Sequence, residues 1–115
     1  MPKRKLDPLP TTAFQILLAL ADRELHGYGI MRQVAEQTED RLRLGPATLY
    51  GSIQTLLEAE FIEEVDAPAA AEPDERRRYY RMSVSGRKAA RGEADRMAGV
   101  LRIARAKKIL GGERV

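Results

Sequence analysis

The densest group of chemically active side chains is the run Arg76-Arg77-Arg78-Tyr79-Tyr80-Arg81. Guanidinium groups bind phosphate and carboxylate oxygens through charge-assisted hydrogen bonds, so this run indicates a polyanionic partner. The alternative is a charged strand whose arginines pair with Glu63 and Glu64 across a hairpin, and we expect some of them to pair in that way. The loop at 66–75 is acidic near its end, which opposes deep insertion of the hairpin into a nucleic-acid groove.

Catalytic and metal chemistry have few candidate residues. The chain has no cysteine, which excludes disulfides, thiolate metal sites and cysteine nucleophiles. The single histidine, His26, lies in a glycine-rich turn without a second ligand nearby, and we interpret it as a capping or buried structural residue. Gly27, Gly29 and Gly45 do not form a phosphate loop, because no strand precedes them and no lysine follows. The sequence therefore predicts a protein that is not an enzyme and needs no metal or cofactor.

Composition and charge limit the class of protein. The 115 residues make one domain, and 43% hydrophobic content is too high for a disordered chain. Net charge is −9 over Glu36–Glu75 and +10 over Arg76–Lys108. A polyanion partner and a solvent-exposed basic helix explain this asymmetry equally well. The sequence has no apolar run near the ~18 residues that span a bilayer and no secretory signal, so we expect a cytoplasmic protein without a membrane partner.

The N-terminal part of the chain is predicted to be an arm followed by a helix. Residues 1–10 contain three prolines and the basic cluster Lys3-Arg4-Lys5, and we interpret them as a flexible arm. Thr12 and Gln15 form a capping-box pattern at the start of the first helix, which is expected to end near 22–24. This helix is apolar on most sides, so it is either central to the fold or shared with a second chain.

The third predicted helix has two different faces. It spans about 46–59, with Pro46 at its first position, and follows a second helix that ends at 38–40. Its core face consists of Leu49, Ile53, Leu56 and Leu57. The opposite face is small or neutral, which suits entry into a DNA major groove, although an ordinary packed helix explains it equally well. The candidate DNA-binding residues on this helix are Ala47, Thr48, Tyr50, Gly51, Ser52, Gln54 and Thr55.

Two short strands follow the three helices. Phe61–Val65 and Arg76–Val84 are predicted to form a hairpin in which Tyr80 points inward and Tyr79 outward. Three helices and then a hairpin are the plan of a winged helix-turn-helix. We therefore predict a mainly α fold with a small β-hairpin (α+β), with the winged helix-turn-helix DNA-binding domain at residues 11–84.

A long helix is predicted at residues 85–110, with a short tail at 111–115. Ser83 or Ser85 is expected to cap it, and Gly111-Gly112 to end it. Its length of about 40 Å exceeds what the remaining residues can cover, so a second copy of the chain is the expected partner. The predicted dimer interface comprises Phe14, Leu17, Ala90, Ala94, Met97, Leu101 and Ala104.

Three motifs occur in a characteristic order within about residues 12–88. They are Leu25-His26-Gly27-Tyr28-Gly29-Ile30, Thr48-Leu49-Tyr50 and Arg76-Arg77-Arg78-Tyr79-Tyr80-Arg81-Met82-Ser83, with Leu56 and Ile62 between them and Gly86-Arg87 after them. Together they resemble the short form of the PadR-type winged-helix transcriptional regulators. The resemblance implies a homodimeric repressor of nearby genes. Its third helices would enter major grooves of double-stranded operator DNA, with half-sites about one helical turn apart.

The resemblance also implies a small-molecule effector of unknown identity at or near the dimer interface, but the few aromatic residues define no pocket for it. Arg76, Arg77 and Arg78 would bind the phosphate backbone. The sequence departs from the family pattern at Ala47 and Gly51, where glycine and proline are usual. Both residues lie on the face of the third helix that is expected to contact DNA bases, called here the reading face. Glu60 replaces a helix-ending glycine, so the turn there is expected to be slightly strained.

A second hypothesis is a winged helix that binds a protein without sequence-specific DNA binding. Its acidic region, Glu36–Glu75, would meet a basic partner. Glu58 and the acidic hairpin tip favour this reading slightly. The arginine run, the small-residue helix face and the family motifs favour the DNA-binding regulator more strongly. Salt titration separates the two hypotheses, because phosphate binding weakens steeply with salt.

Overall fold

The computed structural model describes Leu6, residues 8–68 and residues 78–111. Its elements are α1 (Thr11–Ala19), β1 (Leu25–His26), α2 (Gly27–Gln37), α3 (Pro46–Glu58), β2 (Ile62–Val65), β3 (Tyr79–Met82) and α4 (Val84–Ala106). The strands form one antiparallel sheet in the order β1-β3-β2. The predicted fold class is confirmed. The two-residue strand β1 was not predicted, because two residues carry no periodic signal.

Helix α1 lies at the centre of the hydrophobic core. Ile16 and Leu17 are fully buried within the hydrophobic core. The surrounding core residues include Ile30 and Val34 of α2, Leu49, Ile53 and Leu56 of α3, Ile62 of β2 and Tyr80 of β3. Of the residues predicted for a dimer interface, Phe14 and Leu17 therefore serve the core of the protomer. At 6% and 0% exposure they leave no surface for a partner.

The two ends of α1 differ from the sequence prediction. The capping box at Thr12 is wrong: the residue before the helix is Pro10, and no side chain caps the helix. Because Pro10 is extended and its carbonyl accepts from the Phe14 amide at 3.0 Å, the helix begins two residues earlier than a cap at Thr12 implies. Helix α1 also ends at Ala19, several residues before the predicted 22–24.

Helix α4 begins as predicted and ends early. The Ser83 hydroxyl accepts from the Gly86 amide at 3.0 Å, which confirms Ser83 as the cap. The helix ends at Ala106, so the predicted end at Gly111-Gly112 is wrong. The left-handed turn that follows it is made by Lys108 at φ 63° rather than by glycine. Gly112 lies outside the described residues.

The turn between α3 and β2 has the strain that the sequence predicted. Glu60 adopts φ 66°, in the left-handed region that favours glycine. The Phe61 amide bonds back to the Leu56 carbonyl at 2.9 Å and fixes this conformation. The hydroxyls of Ser83 and Ser85 both donate to the Glu60 carbonyl, at 2.7 and 2.9 Å, so this turn is joined directly to the start of α4.

Candidate nucleic-acid interface

Helix α3 is held by one apolar face and leaves the other in solvent. Its side chains Leu49, Ile53 and Leu56 are buried, as the spacing predicted. Pro46 is the first helical residue, as predicted. The candidate DNA-binding residues of this helix are all exposed or half-buried: Ala47, Thr48, Tyr50, Gly51, Ser52, Gln54 and Thr55. The core thus fixes α3 while its small-residue face stays accessible.

The polar side chains on this face are partly engaged with α3 itself. The Thr55 hydroxyl donates to the Gly51 carbonyl at 3.1 Å. The Gln54 amide donates to the Glu58 carboxylate, with 3.1 Å between Nε2 and Oε2. Glu58 is the only charged residue of the helix, so the face is neutral over its first three turns and acidic at its end.

The hairpin strands carry arginines that are paired with acidic residues. The Nε atom of Arg78 lies 3.6 Å from Oε2 of Glu64. The Nη2 atom of Arg81 lies 3.1 Å from Oε1 of Glu63 on the neighbouring strand. These contacts confirm that some arginines pair across the hairpin. Each pair is largely solvent-exposed, so it stabilises the fold only weakly. Arg76 and Arg77, which were predicted to bind DNA, lie outside the described residues.

A cleft separates α3 from the hairpin. It has a volume of about 510 Å³ and is lined by Gly27, Tyr28, Tyr50, Arg78 and Tyr80. Burial, and next the nearby Glu64 carboxylate, raises the pKa of the Tyr80 phenol above its ordinary value, so it stays a neutral hydroxyl. The cleft brings Tyr50 and Arg78, two predicted DNA-binding residues, to one site. Tyr28 was missed, although its place in the first family motif could have suggested it.

Gly27 leaves room for the Tyr50 side chain in this cleft. A Cβ at Gly27 would lie 2.3 Å from the Tyr50 hydroxyl oxygen, so no larger residue fits unless the ring moves. The Arg32 guanidinium lies 5.8 Å from the centre of the Tyr28 ring on the same side of α2. The start of α2 thus adds aromatic and cationic groups beside α3.

His26 has the structural role that was inferred from the sequence. Its Nδ1 accepts from the Gly29 amide at 3.0 Å and caps α2. Its ring meets Tyr79 of β3 edge-on, with 5.2 Å between the ring centres. His26 therefore connects α2 to the hairpin. Over Leu6, 8–68 and 78–111, no three His, Asp or Glu side chains are grouped closely enough to hold a metal ion.

Helix α4 carries a second exposed surface, which is apolar. Met97 and Leu101 are exposed, as the predicted seam requires, and Ala94 is exposed between them and the body of the protein. Val100 and Ile103 are 52% and 57% exposed, although the predicted seam did not include them. The apolar face of α4 is therefore wider than a two-residue-per-heptad seam. None of the described helices is both long and apolar enough to cross a membrane.

Comparison with known proteins assigns the family. The model of the PadR-like transcriptional regulator family matches residues 16–92, which include α2, α3, the hairpin strands and the start of α4. This protein belongs to the PadR-like family. The resemblance inferred from the sequence motifs is therefore confirmed. A search of the curated proteins finds no match.

Solved structures share the fold of this PadR-like regulator. A PadR family transcription regulator from Clostridium difficile is 19% identical, with a TM-score of 0.74 over 89% of this chain and 100% of that one. A transcriptional regulator from Clostridium thermocellum is 21% identical, with a TM-score of 0.67 over 82% and 89%. A PadR family regulator from Eggerthella lenta is 20% identical, with a TM-score of 0.64 over 89% and 84%. These neighbours show the winged-helix fold, and the family match identifies the protein as a PadR-like transcriptional regulator.

Proposed function

We propose that this PadR-like protein is a homodimeric repressor that places α3 of each protomer in a major groove of operator DNA. The observation that carries the proposal is the exposed face of α3, which is small and neutral over its first three turns. A major groove about 12 Å wide admits an α-helix about 10–12 Å across, and small leading side chains let the helix approach the base edges closely. Hydroxyl and amide groups on this face supply hydrogen bonds to base edges.

The hairpin supplies the phosphate contacts in this proposal. Arg76, Arg77 and Arg78 immediately precede β3 in the sequence. Arg78 is three-quarters exposed, and its 3.6 Å contact with Glu64 is also in solvent. A weak exposed pair of this kind is readily exchanged for a DNA phosphate, which offers a higher density of negative charge.

Dimerisation is proposed to occur through α4. Its exposed apolar side chains, Met97, Val100, Leu101 and Ile103, lie beyond the contacts that α4 makes with the core. Because a continuous apolar helix face is unfavourable in water, a second copy that covers it gains the free energy of burial. Two copies of α3 then face DNA together, which suits half-sites about one helical turn apart.

The alternative is a winged helix that binds another protein without sequence-specific DNA contacts. The ion pairs of Arg78 and Arg81 with Glu64 and Glu63 favour it, because they neutralise cations on the hairpin. Glu58 at the end of the exposed α3 face favours it too. The two functions differ in their response to salt, because displacement of counterions accompanies phosphate binding.

The test is binding to a fluorescent duplex of the DNA upstream of the protein's own gene, beside a scrambled duplex, at 50 and 200 mM salt. Six or more phosphate contacts weaken binding by about 10³-fold or more over this range. The Arg77→Ala/Arg78→Ala variant should bind both duplexes more weakly, with a shallower salt dependence. Arg102→Ala/Arg105→Ala on α4 is the charge-matched control. Weak, equal and salt-insensitive binding by the unaltered protein would support the protein-interaction module.

A further inference from the structure

The Tyr50 side chain extends from α3 towards the start of α2. A Cβ at Gly27 would lie 2.3 Å from its hydroxyl oxygen and 2.8 Å from the ring carbon that bears it, so the outer end of the ring rests on the Gly27 backbone. Thr48, Ser52 and Thr55 of the same helix line a different groove, beside the start of α1. Tyr50 is therefore set apart from these hydroxyl residues and belongs to the cleft beside the hairpin.

Tyr28 brings a second phenol to this cleft. Tyr28 and Tyr50 are each 51% exposed. The His26 imidazole stacks on the Tyr28 ring with 6.4 Å between the ring centres, and the Arg32 guanidinium lies 5.8 Å from the centre of the same ring. Within the described part of the chain, neither the Tyr28 nor the Tyr50 hydroxyl has a hydrogen-bond partner. The cleft thus holds two oriented phenols whose hydroxyls are free to donate to a ligand.

The cleft is bordered by positive charge. Arg78 lines it, and Arg32 lies beside it, over the Tyr28 ring. Arg78 pairs with Glu64 through an exposed contact, but no carboxylate of the described residues lines the cleft itself. Among the same residues, no carboxylate oxygen lies within 4.0 Å of the Arg32 guanidinium. The site therefore combines neutral hydroxyl donors with an unpaired cation, which suits an anionic oxygen ligand.

We propose that this cleft binds one phosphate of the DNA backbone. The hydroxyls of Tyr28 and Tyr50 donate to its oxygens, and Arg78 exchanges its contact with Glu64 for the same phosphate. Arg32 adds an unpaired positive charge beside it. Tyrosine and arginine are common ligands of phosphate groups in protein–DNA complexes. This inference rests on the proposed DNA-binding function and adds one phosphate site to it.

A phosphate held in this cleft fixes how α3 lies in the major groove. Tyr50 is part of α3, while Tyr28 and Arg32 belong to α2, so one DNA group is bound by both helices. Contacts to phosphate carry no sequence information, and they set the register and orientation of the protein on the duplex. The residues of α3 that line the groove beside α1 are then left to read the bases. Glycine is required at Gly27, because any Cβ there displaces the Tyr50 ring.

The test removes one hydroxyl at a time. Tyr28→Phe and Tyr50→Phe keep the ring, and Tyr79→Phe is the matched control because Tyr79 does not line the cleft. Binding is measured to the upstream and the scrambled fluorescent duplexes, and to upstream duplexes in which one phosphate at a time is replaced by an uncharged methylphosphonate. Loss of a hydrogen bond to a charged group should weaken binding by each cleft variant about tenfold, on both unmodified duplexes.

A single backbone position in each half-site should respond to both changes. There the methylphosphonate should weaken binding of the unaltered protein and of Tyr79→Phe, and it should cost the two cleft variants less because the contact is already lost. An equal cost for every protein at every position overturns the proposal, as does binding by the cleft variants that equals that of Tyr79→Phe. A loss confined to the upstream duplex would show base contacts instead and also overturns it.

Two further outcomes are distinct from these. Inorganic phosphate at constant ionic strength should leave DNA binding unchanged. If it displaced DNA from the unaltered protein but not from Tyr28→Phe, the cleft would be a site for free phosphate, and the proposal would be overturned. If the unaltered protein binds neither duplex, the proposed DNA-binding function itself fails, and this inference fails with it.

Discussion

The Gln54 side chain donates to the Glu58 carboxylate across one turn of α3, with 3.1 Å between Nε2 and Oε2. The contact occupies one amide proton of Gln54 and holds a negative charge on the proposed reading face. In the proposed DNA complex, Glu58 would both orient a candidate base contact and repel the nearby phosphates. Such repulsion would reduce non-specific affinity, which is a way of gaining specificity.

Glu58→Ala is expected to raise affinity for every DNA sequence, by roughly threefold or more at low salt, because a charge near several phosphates is removed. The preference between cognate and scrambled duplexes should fall. Fluorescence anisotropy with both duplexes measures the two effects. Asp95→Ala removes an exposed carboxylate from α4 and is the matched control. A variant with weaker binding to both duplexes would contradict this role.

Met97→Glu/Leu101→Glu is expected to give monomers, because it places charge within the exposed apolar face of α4. Sedimentation velocity measures the change in mass. Val84→Glu adds charge at an exposed apolar residue near the other end of α4 and should leave the dimer intact. If the Met97 and Leu101 variant still sediments as a dimer, α4 does not form the interface.

Gly86→Ala is expected to destabilise the protein by about 2 kcal/mol, because the added Cβ would lie 2.0 Å from the Phe61 carbonyl oxygen. Gly92→Ala on the same helix meets no atom within 4 Å and should be stabilising by up to about 1 kcal/mol. Urea unfolding followed by circular dichroism measures both free energies of unfolding. Equal effects of the two substitutions would show that the Phe61 contact is unimportant.

Glu60→Gly is expected to stabilise the protein by about 0.5–1 kcal/mol. Glycine removes the cost of a left-handed conformation at φ 66° and loses part of that gain through the greater freedom of the unfolded chain. Glu60→Ala keeps the backbone cost and should show no such gain. The comparison uses urea unfolding at neutral pH. If alanine stabilised the protein as much as glycine does, the effect would come from loss of the carboxylate rather than from the backbone conformation.

The Glu93 carboxylate is expected to make stability depend on pH. Hydrogen bonds from Arg96 outweigh desolvation and hold the pKa of Glu93 below its ordinary value. A group with a lowered folded-state pKa stabilises the fold above its unfolded pKa of about 4.3, and this contribution is lost as pH falls through the folded value. The free energy of unfolding of Glu93→Gln should therefore differ from that of the unaltered protein at pH 7, and the two values should converge towards pH 3. Asp95→Asn is the control, and a constant difference across this range would contradict the assignment.

The sequence predicted the helices and strands whose apolar residues recur at regular spacing. The spacing of Leu49, Ile53 and Leu56 was sufficient to place α3 and its exposed face, and alternation in the hairpin placed Tyr80 in the core. The strained turn at Glu60 followed from a missing glycine. Each of these features depends on residues close together in the chain, where local geometry decides the outcome.

Features that depend on tertiary contacts were not predicted. Strand β1 exists because Leu25 and His26 pair with the distant Tyr80 and Tyr79. The capping box failed at Thr12 because the extended Pro10 begins the helix first. The cleft that joins Tyr28 and Arg78 is formed by elements about fifty residues apart, and the sequence gives no signal for their distance.

The two hydroxyl contacts at the Glu60 carbonyl make α4 a lever attached to the end of α3. The 23 residues of α4 extend over about 35 Å, so a rotation of 5° at the joint moves its far end by about 3 Å. That displacement is close to the 3.4 Å rise of one base pair. If two copies pair through α4, the angle at this joint sets the distance between their α3 helices. Substitutions at Ser83 or Ser85 would then change the half-site spacing that the dimer prefers, while every base contact of α3 stays the same.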